Sequence, residues 1–394
     1  MTITPGPAEP LAGFRVLDLT TFLSGPLATR TLATLGAEVV KIEPPSGDPT
    51  RAGSGLRPGG PPSPYWLALH RDRRAMVLDL KSEAGREVLL ELVEHADALV
   101  ENFRPGVMAR LDLGPEVLRG RNPRLVTCAI SGFGGDGPMS QLAAIDGPVQ
   151  AFTGLLDLTG VDGQPGLPVP MQVADIAGAS YAASAVLAAL LARERTGQGA
   201  HIDLSLAECL LQWLGCIDRS GSLNPPSTMV LEAADGGRLL VQPIMHFHAR
   251  FAALVAAVPG FEAFAEDPRF GDRDARRAHR ADYEDAVRAA FRTRPAADWL
   301  ADLHASGVPA AAVHASDDVL SHPQLVHRGA SIVMEGDGQV TQTVLAPPFT
   351  FDGERRVRTS APPTLGEHTA AVLRDWLGYD DERLAALGAG GALG

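Results

Sequence analysis

Cysteine is scarce in this chain. Cys128, Cys209 and Cys216 are the three present in 394 residues, and they share no metal-ligand spacing. Cys128 falls in a strand-like run and the other two on an apolar helix, the pattern of free buried thiols in a reducing compartment, so a cytoplasmic location is expected. The 11 histidines are scattered, and His246 and His248, two apart, would face different sides of a helix. No metal site is expected. Basic residues are outnumbered: 34 Lys and Arg stand against 47 Asp and Glu, for a net charge of −13. That balance argues against nucleic acid or an anionic membrane surface as a partner, so an anionic ligand would need locally clustered cations. A Gly-x-x-x-x-Gly-Lys-Ser/Thr loop and a serine nucleophile elbow are both missing, which argues against those two chemistries. The first residues lack a basic start and an apolar core, so no signal peptide is expected. The apolar stretch Ala182–Leu191 is too short to span a bilayer and runs into Arg193, Glu194 and Arg195.

The chain is 45% hydrophobic and 21% charged, and 394 residues exceed one ordinary core, so two domains are expected. Over 14–131, strand-like runs (Arg15–Leu19, Glu38–Glu43, Ala75–Leu80, Ala98–Phe103, Arg124–Ile130) alternate with helical patterns. This predicts an α/β fold with a large doubly wound, Rossmann-like domain. The large domain is placed at 1–220, with 331–394 returning to it, and a smaller α+β domain at 221–330. The smaller domain contains a hairpin around Asp235-Gly236, helices over His246–Val258, Arg277–Phe291 and Ala297–Ser306, and a strand over Val308–Val313. A helix ending at Leu377 and a fraying, Gly-rich terminus complete the chain. Gly132–Gly137 matches Gly-x-Gly-x-x-Gly, with Asp157 where a ribose-binding acid would lie. That fingerprint belongs in the first strand–helix turn of its unit, and this one follows four other strands, so it reads as a Gly-rich connection.

The remaining chemistry centres on Met171–Ser180, where Asp175 precedes a long Ala- and Leu-rich segment that reads as a buried helix. An acid at a helix start suits an N-cap. It equally suits a nucleophilic carboxylate aimed into a cleft, and the residues alone leave both open. Lys41, Arg51, Lys81, Arg104 and Arg110 lie near loops, beside Asn102–Gly106. They are either surface charges or a cradle for the phosphates of a nucleotide-like ligand at the sheet edge.

The strings Val16–Thr20, Leu35–Glu43, Leu78–Lys81, Val100–Met108, Ser131–Pro138 and Ala361–Thr369 together resemble the class III coenzyme A transferases, the CaiB/BaiF family, which also holds the α-methylacyl-CoA racemases. The resemblance runs along nearly the whole chain. It implies a two-domain subunit in an interlocked homodimer, and coenzyme A, carried as an acyl-CoA, as substrate beside a carboxylic acid. It implies a catalytic role for Asp175 as nucleophile, with Asp146 an acid close to it. Leu78, Lys81, Asn102, Phe103 and Arg110 fall where family members contact coenzyme A, and Thr21, Phe22, Leu23 and Ser24 where they line the thioester pocket. Lys41 and Arg104 complete the expected ligand-binding set. The racemases carry His where this chain has Ile145, and Glu where it has Met245. Neither Ile nor Met can move a proton, so acyl transfer is favoured over racemisation. Leu23 replaces a polar residue of the formate-type transferases, and their Gly-rich loop has no counterpart between Gly215 and Leu231.

The expected activity is transfer of CoA from a thioester to a carboxylic acid through an aspartyl mixed anhydride and an aspartyl-CoA thioester. The alternatives are a racemase-like isomerase or lyase, a CoA-binding protein with Asp175 as a plain cap, and the oxidoreductase suggested by Gly132–Gly137.

Overall fold

The computed structural model describes residues 9–51, 63–160, 166–215, 228–243, 247–334, 342–355, 357 and 360–394. The chain divides into two compact units, residues 1–216 with 326–394, and residues 217–325.

In the first unit the order is β1 (Arg15–Asp18), α1 (Ser24–Thr34), β2 (Glu38–Glu43), α2 (Pro64–Leu69), β3 (Arg74–Val77), α3 (Glu83–Glu94), β4 (Ala98–Glu101), α4 (Val107–Arg110) and α5 (Pro115–Arg121). Then come β5 (Val126–Ser131), α6 (Asp146–Phe152), α7 (Leu155–Thr159), α8 (Val173–Thr196), β6 (His201–Ser205) and α9 (Leu206–Gly215). The strands form one six-stranded sheet in the order β3-β2-β1-β4-β5-β6, every pairing parallel. This is a mixed α/β fold of the doubly wound type, with the order reversing between β1 and β4. Helices cover both faces, which is why the strands are near-continuous apolar runs: Val16, Leu17, Val40, Met76 and Val126 are fully buried.

Local sequence sets the helix ends. Ser82 caps α3 by accepting from Gly85 N at 3.0 Å. Gly197, at φ 72°, takes the left-handed conformation that ends α8. α8 runs 24 residues, longer than the apolar stretch read from sequence. Among the described residues it is the helix long and apolar enough to cross a membrane by length and composition. It packs against α1, α9 and β5, as a core helix does. A Cβ at Gly178 would lie 2.2 Å from Leu206 Cδ2, so glycine there permits α9 to come close.

The second unit holds an antiparallel three-stranded sheet of β7 (Met229–Glu232), β8 (Arg238–Val241) and β9 (Ala310–Ala312). α10 (Phe247–Ala256), α12 (Arg280–Phe291) and α13 (Ala296–Ala305) share its core, and α11 (Arg273–Ala278) packs on α12. Its core is aromatic, with Phe291 stacked on Trp299 at 4.1 Å between centroids. The helix is interrupted at His279, between α11 and α12, and Asp272 caps the N-terminus of α11 separately.

α14 (Pro323–His327) precedes an antiparallel pair, β10 (Ser331–Met334) and β11 (Gln342–Leu345). α15 (Thr369–Leu377) returns to the large sheet and buries Val372, Leu373 and Trp376 with Leu17, Met76 and Leu89. The terminus does not fray as its glycines suggested. Asp380 caps α16 (Asp381–Ala389) by accepting from Arg383 N at 2.9 Å, and buried Ala392 accepts from Asp79 N at 2.9 Å.

Candidate active site

Thr21 follows β1 and Asn102 follows β4, so the two face each other at the carboxyl ends of the strands where the sheet order reverses, the place where open α/β sheets bind ligands. Asn102 joins them. Its Oδ1 accepts from Thr21 N at 2.8 Å and its Nδ2 donates to Thr21 O at 2.7 Å. One turn of chain is thereby clamped as a strand neighbour would clamp it. Phe22, next in line, has φ 63°, a left-handed conformation that costs a bulky residue energy. Beneath Asn102, Glu101 accepts from Phe103 N at 2.7 Å. Burial pushes the Glu101 carboxyl up to about 7, the Phe103 N–H opposes the rise and Asp203 adds to it.

Asp175 enters from α8. Its position corrects the N-cap reading: the cap is Gln172, and Asp175 lies inside the first turn. The capping work is done by Asp146, the first residue of α6. Its Oδ1 accepts from Ala174 N at 2.6 Å and, more weakly, from Asp175 N at 3.4 Å. Its Oδ2 takes Gln150 Nε2 at 2.5 Å, and Gln150 Oε1 in turn accepts from Val169 N at 2.9 Å. The Asp175 carboxylate is thus left for the cavity. Burial raises its pKa to about 6, Asp146 adds to the rise, and the Ser24 hydroxyl bond opposes it. With a value of about 6 the group is mostly an anion at neutral pH. Tyr65 on α2 is held above its usual range by burial, with the charges of Asp175 and Asp48 contributing.

A cavity of ≈ 280 Å³ lies over Asp175. It brings together Thr21, Phe22, Ser24, Asn102, Phe103, Arg104 and Asp175 from the sequence-derived set. Asp146 sits behind the wall. Leu23 is buried at the start of α1, and Leu78 is buried in the sheet core, so only backbone atoms of Leu78 can meet a ligand at that edge. Lys81 and Arg110 are exposed and outside the cavity lining.

Lys41 is a correction. Its ammonium is 1% exposed, donates to Thr20 O and pairs with Asp48 at 3.0 Å, so it is spent inside the fold rather than offered to phosphates. Arg51 is likewise held, by both oxygens of Glu43 at 2.6 Å. The Gly132–Gly137 segment offers no phosphate cradle: Gly134 N is given to Ser131 Oγ at 3.0 Å and Gly135 N to Asp203 at 3.0 Å. Met245 and nearly all of the stretch compared with the Gly-rich loop lie outside the described residues. Among the described residues no group of three or more His, Cys, Asp or Glu is arranged to hold a metal.

Sequence reasoning missed the cavity wall. Ile130, Leu142, Ala143, Ala144, Ile145 and Leu206 line it, yet only Ile145 attracted notice, and then for the histidine it is not. Gln150 was legible in principle, four residues past Asp146 on one helical face.

The family model described as CoA-transferase family III matches residues 11–369. The chain is 34% identical to a Mycobacterium tuberculosis protein named "Probable fatty acyl-CoA transferase", covering 94% of this chain and 99% of that one. It is 36% identical to the acetyl-CoA:oxalate CoA-transferase of Acetobacter aceti, covering 94% and 96%. A crystal structure of a CaiB/BaiF family protein from Brucella suis matches with a TM-score of 0.79 at 31% identity, over 94% of this chain and 100% of that one.

Proposed function

The chain belongs to CoA-transferase family III, and from that membership we propose that it transfers CoA from an acyl-CoA to a carboxylic acid through covalent intermediates on Asp175. The Asp175 carboxylate attacks the thioester carbonyl; the C–S bond breaks, leaving a mixed anhydride and the CoA thiolate. The thiolate attacks the aspartyl carbonyl, releasing the acid with one oxygen taken from Asp175 and forming an aspartyl-CoA thioester. An incoming carboxylate reverses both steps and restores the oxygen.

The observation that carries this reading is an Asp175 carboxylate freed from capping, touched by Ser24, and facing a cavity at the sheet's switch point. Asp146 acts here as a positioning residue rather than as a base. The N-terminus of α1, which has no side-chain cap, begins at cavity-lining Ser24 and can supply N–H groups to a tetrahedral oxyanion. Exposed Arg104, Lys81 and Arg110 at the same sheet edge suit the phosphates of the nucleotide end, whose binding would position the thioester.

The interlocked dimer belongs to the same reading. It is supported by the outward apolar side chains Tyr181, Leu191, Leu211 and Trp213 on α8 and α9. Sedimentation at nanomolar dilution should find a dimer that does not dissociate. Racemisation is disfavoured because it needs two bases, and Ile145 stands beside Asp175 where the racemases place His.

The test is mass spectrometry after mixing with acyl-CoA and neutral hydroxylamine. An aspartyl hydroxamate should map to Asp175 and vanish in Asp175→Ala. Alpha-hydrogen exchange with no adduct would favour the racemase reading instead.

A further inference from the structure

Beside polar Thr21, Ser24, Asn102, Ser131 and Ser140, the cavity that holds Asp175 is lined by alkyl and aromatic side chains, several of them open to solvent. Ile145 is 72% exposed, Leu142 54% and Phe22 58%, while Ile130 and Leu206 lie buried behind them. Isolated exposed apolar residues need no explanation, but a cluster of them beside a candidate nucleophile does. This wall is also closely packed from behind. A Cβ on Gly132 would fall 2.0 Å from Ala144 Cβ, so the loop after β5 closes directly on the 139–145 segment. Ile145 immediately precedes Asp146, whose carboxylate is bonded to Ala174 and Asp175 N. The apolar wall and the candidate nucleophile are therefore linked through one short connection, Ile145 to Asp146. At ≈ 280 Å³ the cavity is at the small end of ligand sites, which span roughly 300–1,000 Å³. It suits an acyl group and thioester rather than an entire coenzyme.

Charge in the cavity is sparse, and among the described residues its one lining cation, Arg104, is exposed rather than set among the apolar side chains. Among the described lining residues the charged groups are Asp175 and exposed Arg104, and Asp146 adds its negative charge from behind. A dicarboxylic acyl group would put its distal carboxylate among Ile and Leu side chains near two acids. A buried charge is costly unless paired. An apolar acyl group would instead cover surface that is otherwise open to water.

We propose that this chain handles short to medium acyl groups that are uncharged and apolar at their far end, with Ile145 and Leu142 as specificity-determining residues. The inference rests on the reading of Asp175 as the nucleophile and deepens it.

Isotope exchange tests it without needing the natural acceptor. Each donor (hexanoyl-, benzoyl-, succinyl- and glutaryl-CoA) is incubated with its own labelled acid, and Asp175 labelling by hydroxylamine is followed in parallel. Exchange of the two apolar groups should exceed that of the two dicarboxylic groups by about ten-fold or more in kcat/KM. In Ile145→Arg the gap should narrow by about ten-fold, through loss with hexanoyl-CoA and gain with succinyl-CoA. Leu142→Arg, at a separate exposed position, should do the same if the first variant folds poorly. Arg104→Ala should weaken all four donors alike. Equal or faster exchange of the dicarboxylic donors, with Asp175 still labelled, would overturn the substrate class and leave the nucleophile standing. So would selective loss of the dicarboxylic donors in Arg104→Ala. Exchange with no label on Asp175 for any donor would bring down the underlying reading and this inference with it.

Discussion

The buried Asp175 carboxylate works against folding at neutral pH. In an unfolded chain its carboxyl would titrate near 3.8, and in the fold burial and Asp146 move it to about 6. Because the folded value is the higher one, the group favours folding fully below the unfolded pKa, and that contribution is lost as pH rises through about 6. Two outcomes follow for Asp175→Asn. Transfer should fall on the order of 10³-fold or more. Thermal stability at pH 8 should be equal to or above that of the parent, with the difference shrinking toward pH 5; paired melting curves read this directly. A plain structural cap would behave oppositely, with the variant melting lower. The sequence made Asp175 visible because an acid starts a long apolar helix, but cap and nucleophile could not be told apart from spacing. What removes the cap reading is another residue's hydrogen bonds: Asp146 takes the helix N–H groups that Asp175 would otherwise serve.

At the level of elements, α6 and α8 act as one piece. Asp146→Ala removes the acceptor for Ala174 N and should cost about 1–2 kcal/mol, as loss of a cap does, measured by urea unfolding. Burial, which raises the Asp175 pKa most, is untouched in Asp146→Asn, but the variant removes the charge that adds to the rise while keeping an acceptor oxygen, so the acid limb of the pH–rate profile should move below about 6. An unmoved limb would mean Asp175 does not set that limb. The Asn102 clamp is the second joint. Asn102→Ala leaves Thr21 N and O without their partner, and loosening the turn that carries Ser24 should lower kcat by roughly 10²-fold. The effect should fall on kcat more than on KM for acyl-CoA; the reverse split would mean Asn102 only binds ligand. The strands and the Ser82 cap were legible because β-branched runs and capping residues act over a few positions. The 139–145 wall was not, because its residues form neither a helix nor a strand and matter only through where α6 places them.

On the scale of the whole molecule, alternation of apolar runs and helices predicted a parallel sheet, and the sheet is there, while its order comes from contacts no local pattern encodes. The same gap explains Lys41. Read as a lone cation near a loop, it proves to be part of a buried charge network that pins β1, β2 and β3 together. Arg73 pairs with Asp18 at 2.5 Å with both side chains fully buried. Burial alone would raise Asp18, but Lys41 and Arg73 hold it below its ordinary value. A folded pKa below the unfolded one means the network's stability is present above the normal carboxylate range and fades as pH falls through the lowered value. Arg73→Leu should cost about 3–5 kcal/mol in urea unfolding at pH 7, because it strands a buried carboxylate; a cost under about 1 kcal/mol would show that water reaches Asp18. The central claim is that Asp175 exchanges an oxygen atom with its substrates, and it is tested most directly with an acceptor acid carrying heavy oxygen in its carboxylate. After turnover with an acyl-CoA and proteolysis, the peptide holding Asp175 should have gained that oxygen. Transfer that proceeds while this peptide stays unlabelled would contradict the mechanism.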